Sequence, residues 1–133
     1  MEFSPYLMFD GNCAEAFKFY EQVLGGKIDA IMPFKGSPAA EHVPADWGDK
    51  VLHATMTIDG QHLMASDAPP GQYATPQGIS VSIALKDRDK GETVFNALAE
   101  GGTIQMPFQK TFWASGFGMC VDRFGIPWMI NCE

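Results

Sequence analysis

The chain repeats itself, and the repeat limits its folds more than any other feature of the sequence. Residues 25–34 read Gly-Gly-Lys-Ile-Asp-Ala-Ile-Met-Pro-Phe, and residues 101–108 read Gly-Gly-Thr-Ile-Gln-Met-Pro-Phe. The offset that aligns the glycine pairs, 76 residues, also places Phe19 on Phe95 and Leu7-Met8-Phe9 on Ile83-Ala84-Leu85. Each half therefore runs strand, helix, Gly-Gly, strand. A hairpin follows in each. Leu52, Ala54, Met56 and Ile58 alternate with His53, Thr55 and Thr57, the period of a half-buried strand. Asp59-Gly60 turns, and Gln61 to Ser66 returns. In the second half Trp113 to Val121 goes out, Asp122-Arg123-Phe124-Gly125 turns, and Pro127 to Cys132 returns. The expected class is α+β: two tandem βαβββ modules in one domain, residues 1–133. Module one covers about 1–66, a linker rich in Pro, Gly and Ala about 67–78, and module two about 79–133.

The helices carry start and stop signals. Asn12 followed by Glu15 reads as a capping box, and Ala16, Phe17, Tyr20, Val23 and Leu24 share one helical face. Gly25 ends the helix, because glycine takes the left-handed conformation without a Cβ penalty. Asp89 and Glu92 stand in the same relation in the second half, where Val94, Phe95 and Leu98 form the stripe and Gly101 closes it. The stretch from Lys35 to Lys50 reads as a long irregular loop, with only about four residues at the matching place in the second half. Long loops in compact domains are usually functional or disordered.

A chain of 133 residues can build one core without disulfides or metals. Nine Lys and Arg against sixteen Asp and Glu give a net charge of −7, which opposes binding to nucleic acid or to an anionic membrane surface. Most of the excess lies in residues 1–78, with four basic and ten acidic side chains. No apolar run approaches the ~18 residues that span a bilayer. The segment Met1-Glu2-Phe3-Ser4-Pro5 lacks the basic and apolar regions of a secretion signal. Three cysteines, Cys13, Cys120 and Cys132, with no CxxC pair, read as reduced thiols, so a cytoplasmic protein is expected. Cys13 falls at a helix start, where the dipole can lower a thiol pKa; the other reading is buried filler.

The set of motifs resembles the vicinal-oxygen-chelate superfamily of glyoxalase I, extradiol dioxygenases and the bleomycin- and fosfomycin-resistance proteins, and within it the PhnB-like branch. The resemblance rests on Tyr6-Leu7-Met8-Phe9-Asp10-Gly11-Asn12-Cys13, Glu15 to Tyr20, Val23 to Gly26, His53-Ala54, Leu63 to Asp67, Phe112-Trp113 and Val121 to Met129. It implies strands curled around a shared cleft and a homodimer, often with modules exchanged between chains. It also implies a metal held by one side chain from each of four strands, and those positions fall on Pro5, Met64, Ser80 and Met129. None is a usual ligand for a catalytic divalent ion, and a slip of one residue brings in Tyr6 or Asn131 but no His–Glu set. The expectation is no cofactor and no metal site. Relatives sometimes labelled methyltransferase-like do not change this, because no GxGxxG loop follows a strand.

Without a metal, the cleft is read from alternation. Leu52, Ala54, Met56 and Ile58 suit the helix side, so His53, Thr55 and Thr57 face the cleft. Ser80 and Ser82 are the polar residues of an apolar strand, Met64 and Ser66 come from another, and Met129 and Asn131 from the last. Tyr6, Trp113, Phe117 and Met119 complete the candidate ligand-binding set. Few polar groups in an apolar concavity is the usual make-up of a small-molecule site. His53 is the candidate catalytic residue, since imidazole titrates near neutrality; the competing reading is a histidine that only hydrogen-bonds within the structure. His42 and His62 read as exposed and inert. Three functions stay open. The chain binds a small organic molecule without a metal, or is a metal-dependent or His53-assisted lyase, isomerase or oxygenase, or is an interaction protein using the acidic loop 35–50. A phosphonate ligand would call for Arg or Lys in the pocket, and only Lys110 and Arg123, from loops, are available.

Overall fold

The structure, a computed structural model, describes residues 1–133. It divides into two compact units, Met1–Ala74 and Thr75–Glu133. The first contains strand β1 (Tyr6–Phe9), helix α1 (Cys13–Leu24), and strands β2 (Lys27–Pro33), β3 (Val51–Ile58) and β4 (Gln61–Asp67). The second repeats the order with β5 (Val81–Leu85), α2 (Arg88–Ala99), β6 (Thr103–Gln109), β7 (Gly116–Val121) and β8 (Pro127–Cys132). Both are α+β, as the repeat implies.

Each unit is one mixed four-stranded sheet carrying one helix. The orders are β1-β4-β3-β2 and β5-β8-β7-β6. The first strand of each unit runs parallel to the last, and the remaining pairs are antiparallel. In the first unit Leu7, Phe9, Ala54, Met56, Leu63 and Ala65 are buried, together with Ala16, Phe17 and Tyr20 of α1. Tyr20 meets Phe9 and Phe17 at ring-centroid distances of 6.4 and 6.3 Å. Each such side chain stabilises the unit by roughly 1.5–3 kcal/mol through burial.

The Gly-Gly pairs have a reason in each unit. The first glycine takes the left-handed backbone after its helix, at φ +69° for Gly25 and +76° for Gly101. The second lets a neighbouring strand come close. A Cβ on Gly26 would lie 2.6 Å from Ile58 Cγ1, and one on Gly102 would lie 2.1 Å from the Val121 carbonyl oxygen. The Asp59-Gly60 turn has positive φ at both residues, 48° and 77°, as a two-residue hairpin requires.

The helix starts differ from the sequence expectation. Asn12 makes no side-chain cap hydrogen bond, and its Oδ1 is buried without a partner. The Cys13 backbone N–H instead donates to Asp67 Oδ1 at 3.0 Å. Asp67 reaches α1 because β4 pairs with β1, Phe9 opposite Asp67. In the second unit the corresponding pair is Leu85 opposite Cys132, so a thiol stands where the first unit has a carboxylate. There Asp87, not Asp89, caps the helix, accepting from the Asp89 and Lys90 N–H groups.

The stretch 35–50 is less irregular than its sequence reads. It holds two short 3₁₀ turns, Pro38–His42 and Ala45–Trp47. Its ends are tied by backbone bonds from Phe34 N to Lys50 O (3.0 Å) and Lys35 N to Gly48 O (2.9 Å). Lys50 Nζ also donates to Gly11 O at 2.9 Å, joining the stretch to the start of α1. No helix is long and apolar enough to cross a membrane.

Candidate functional site

Strand register sorts the candidate residues by face, since paired residues point the same way and neighbours alternate. In the first unit Tyr6 pairs with Met64, Met64 with Thr55, and Thr55 with Ala30. The next row holds Met8 with Ser66, and Met32 with His53. All lie on the face away from α1. That face is open: Tyr6, Met8 and Met32 are 45%, 39% and 47% exposed.

Three of these residues join in one hydrogen-bonded group. Tyr6 Oη lies 3.0 Å from His53 Nδ1 and is also hydrogen-bonded to Ser66 Oγ. Ser66 Oγ donates to the Leu52 carbonyl at 2.8 Å. The Tyr6 and His53 rings stand 5.7 Å apart, tilted by 30°.

On the same side Glu2, Ser4, Asp29, Thr55, His62 and Met64 line an open concavity of about 510 Å³. Four of its groups, Glu2, Ser4, Asp29 and His62, lie outside the set read from the sequence. Asp29 is the extra residue of a β-bulge between Ile28 and Ala30, and its Oδ2 accepts from Thr57 Oγ1 at 2.6 Å. A bulge breaks period-two reading and redirects a side chain. His62 is exposed as expected, but its Nδ1 is 2.5 Å from Glu2 Oε1. His42 is exposed at the end of a 3₁₀ turn.

The Glu2 bond and charge raise the His62 pKa above its ordinary 6.5, and the bonds from His62 and Ser4 lower that of Glu2 below 4.5. The stabilisation credited to His62 is complete below 6.5 and fades as pH rises through its raised pKa. That credited to Glu2 is complete above 4.5 and fades as pH falls through its lowered pKa. The pair therefore contributes fully between pH 4.5 and 6.5. In an NMR titration His62 should change charge above pH 6.5, and Glu2→Gln should bring its midpoint down. An unchanged midpoint in that variant would remove Glu2 as the cause.

In the second unit the same rows hold Ser82 with Met129, Met129 with Met119, and Ala84 with Asn131, which pairs with Phe117. Ser82 is exposed, Met119, Met129 and Asn131 are half-buried, and Phe117 is buried. Trp113 covers Phe117 at a centroid distance of 5.2 Å and donates from Nε1 to Asn131 Oδ1 at 3.2 Å. Ser80 lies just before β5 and is exposed. By register Met64 and Met129 are counterparts, Ser66 answers to Asn131, and Tyr6 to Ser82.

The positions that the resemblance assigns to a metal do not fit one. Pro5 contributes a backbone carbonyl already bonded to Met64 N at 3.1 Å. Met64 and Met129 offer thioethers and Ser80 a hydroxyl, a donor set unlike the imidazoles and carboxylates that hold catalytic divalent ions. No three His, Cys, Asp or Glu side chains come together as a cluster that could hold one.

The thiols are buried. Burial, followed by the Asp67 charge, pushes Cys13 up to about 12, so of its two readings the buried one holds and the acidified one does not. Burial, then Asp122, pushes Cys120 up to about 11, and burial raises Cys132. A thiol kept protonated is a poor nucleophile.

Comparison with known proteins agrees with the geometry. The family model described as 3-demethylubiquinone-9 3-methyltransferase matches residues 1–131. Protein YjdN of Escherichia coli (strain K12) is 37% identical over 139 residues, covering 98% of this chain and 95% of that protein. The crystal structure of protein PA1353 from Pseudomonas aeruginosa is 49% identical, covers 100% of this chain and 98% of that one, and superposes with a TM-score of 0.91. The PhnB protein from Bacillus cereus is 25% identical over the whole of both chains, with a TM-score of 0.81. The fosfomycin resistance protein FosX from Listeria monocytogenes, at 6% identity, a TM-score of 0.67 and coverage of 100% and 92%, shares the fold alone. The chain belongs to this PhnB-like family, described by the name 3-demethylubiquinone-9 3-methyltransferase.

Proposed function

We propose that the open sheet faces bind a small organic molecule without a catalytic metal, in a homodimeric cytoplasmic protein. The observation that carries this reading is the Tyr6–His53–Ser66 group, a compact set of directional polar atoms set among exposed Met8 and Met32 and half-buried Met64. Such a surface has apolar area for contact and few polar groups for orientation, which is how small-molecule sites are built. Thioethers repack around ligands of different shape, which suits a binder more than a fixed metal catalyst. Thr55 and Met64 would line a ligand on the face of the first unit, and Ser80, Ser82, Trp113, Phe117, Met119, Met129 and Asn131 one on the face of the second.

The family's description names methyl transfer, and S-adenosylmethionine would be its donor. The residues do not fit that cofactor's usual site. Neither sheet is doubly wound, the β1–α1 link is Asp10-Gly11-Asn12 rather than a glycine-rich loop, and the α1 N-terminus is filled by Asp67.

Thermal denaturation with a panel of aromatic and amide-bearing compounds tests the reading. A compound present at 100 times its Kd should add about 2.7 kcal/mol, a rise of several degrees in Tm. His53→Ala should reduce that rise. Native mass spectrometry should show a dimer, and a stoichiometric divalent metal in that mass would overturn the metal-free reading. A panel that leaves Tm unmoved at millimolar concentration would count against small-molecule binding.

A further inference from the structure

The hydrogen atoms of the Tyr6–His53–Ser66 group can be placed by counting donors. A carbonyl oxygen only accepts, so the one hydroxyl hydrogen of Ser66 is committed to Leu52 O. Ser66 Oγ then has nothing left to donate to Tyr6, and the bond between them requires Tyr6 to be the donor. The one hydroxyl hydrogen of Tyr6 is thereby committed in turn. Tyr6 Oη must accept from His53, and the hydrogen in that 3.0 Å contact must be on Nδ1. No other assignment with a neutral imidazole satisfies all three bonds.

We propose that Ser66 and Tyr6 form a relay that fixes His53 as its Nδ1–H tautomer and leaves Nε2 bare, as a hydrogen-bond acceptor on the open face of the sheet. Tyr6 and Ser66 are positioning residues: they act on the ligand through His53. Nε2 makes no hydrogen bond within the protein. While the imidazole is neutral, a ligand bound to it must present an N–H or O–H group; a carbonyl or ether is refused there, because two acceptors would meet. This deepens the small-molecule reading by naming the ligand chemistry. The tautomer itself is a property of the free protein, so it can fail while ligand binding stands, and the reverse.

The relay is tested by long-range ¹H–¹⁵N correlation spectra of the unliganded protein at pH 8.5, two units above the ordinary imidazole value of about 6.5. The chain has three histidines. His62 also carries its hydrogen on Nδ1, since its partner is the carboxylate of Glu2. The His53 signals are therefore assigned by their loss in His53→Gln. The expected wild-type spectrum has a pyrrole-type Nδ1 and a pyridine-type Nε2 at His53. The informative variant is Ser66→Ala. It leaves the Tyr6–His53 pair in place but removes the acceptor of the Tyr6 hydroxyl, which becomes free to donate to Nδ1. His53 should then switch to the Nε2–H tautomer. Tyr6→Phe should release it to the same form, the one that histidine favours in water. A merely structural role for Ser66 would leave the tautomer unmoved. A pyridine-type Nδ1 in the wild-type protein would overturn the proposal, and so would a folded Ser66→Ala protein that keeps the hydrogen on Nδ1. The wild-type spectrum decides by itself if a variant fails to fold.

Discussion

Asp122→Ala should remove roughly 4–6 kcal/mol of unfolding free energy, enough to unfold the protein if its total lies at the low end of the usual 5–15 kcal/mol. The carboxylate is 3% exposed and makes three hydrogen bonds. Oδ1 accepts from the backbone N–H groups of Phe124 (2.8 Å) and Ile126 (3.0 Å), and Oδ2 accepts from Trp128 Nε1 (2.8 Å). Truncation strands three buried donors at once, each at a cost of about 1–3 kcal/mol. Trp128 is itself almost fully buried, so its indole N–H cannot turn to water. Asp122→Asn separates the parts. One oxygen remains for the two backbone donors, but the amide nitrogen meets the indole N–H, donor against donor. A loss of about 2 kcal/mol is expected for that variant. Urea unfolding with a shared slope measures both. An alanine variant within 1 kcal/mol of the parent would show that water or a shift of the turn satisfies these groups.

The sequence marked Asp122-Arg123-Phe124-Gly125 as a turn, and a turn is there, with Gly125 at φ +91°. Its hold on Trp128 was not legible, because a turn motif says nothing about a side chain on the following strand. Local patterns succeeded for most local causes, the α2 cap excepted, where the reading chose Asp89 and the bonds go to Asp87 two residues earlier. Period-two alternation placed His53 and Thr55 on the face away from Ala54 and Met56, and the glycine pairs marked both helix ends. They failed where the partner comes from afar. Asn12 and Glu15 have the right spacing for a capping box, yet the Cys13 N–H is taken by Asp67, 54 residues on. Nothing near Cys13 in the sequence announces that carboxylate, whose charge adds to the larger effect of burial in pushing the thiol up to about 12. The Tyr6–Ser66 bond likewise depends on parallel pairing across 60 residues. Asp29 was missed because a bulge shifts the strand by one residue, so counting by twos cannot find it.

Asp67→Ala should cost about 3–4 kcal/mol, and its effect should reach the open face. The carboxylate is 2% exposed and accepts from two backbone groups, Cys13 N at 3.0 Å and Val51 N at 2.8 Å. One starts α1 and the other starts β3, so a single side chain ties a helix to the strand that carries His53. Removing it leaves both N–H groups buried without partners, and it deletes a negative charge at a helix N-terminus, worth about 0.3–1 kcal/mol. Asp67→Asn keeps one acceptor and turns an NH₂ toward the other N–H, so about half of the loss is expected. Asp67 also ends the β1–β4 ladder opposite Phe9, one residue after Ser66. A frayed ladder end would loosen the Tyr6–Ser66 bond before the sheet itself melts. Hydrogen exchange should therefore show faster exchange at Cys13, Val51 and the β1–β4 pairs in Asp67→Ala, with β2–β3 amides beyond the Val51 end little changed. Urea unfolding supplies the global loss. A variant that loses less than 1 kcal/mol, with exchange at Cys13 and Val51 unaltered, would mean that another acceptor takes both amides and that Asp67 is not what joins α1 to β3.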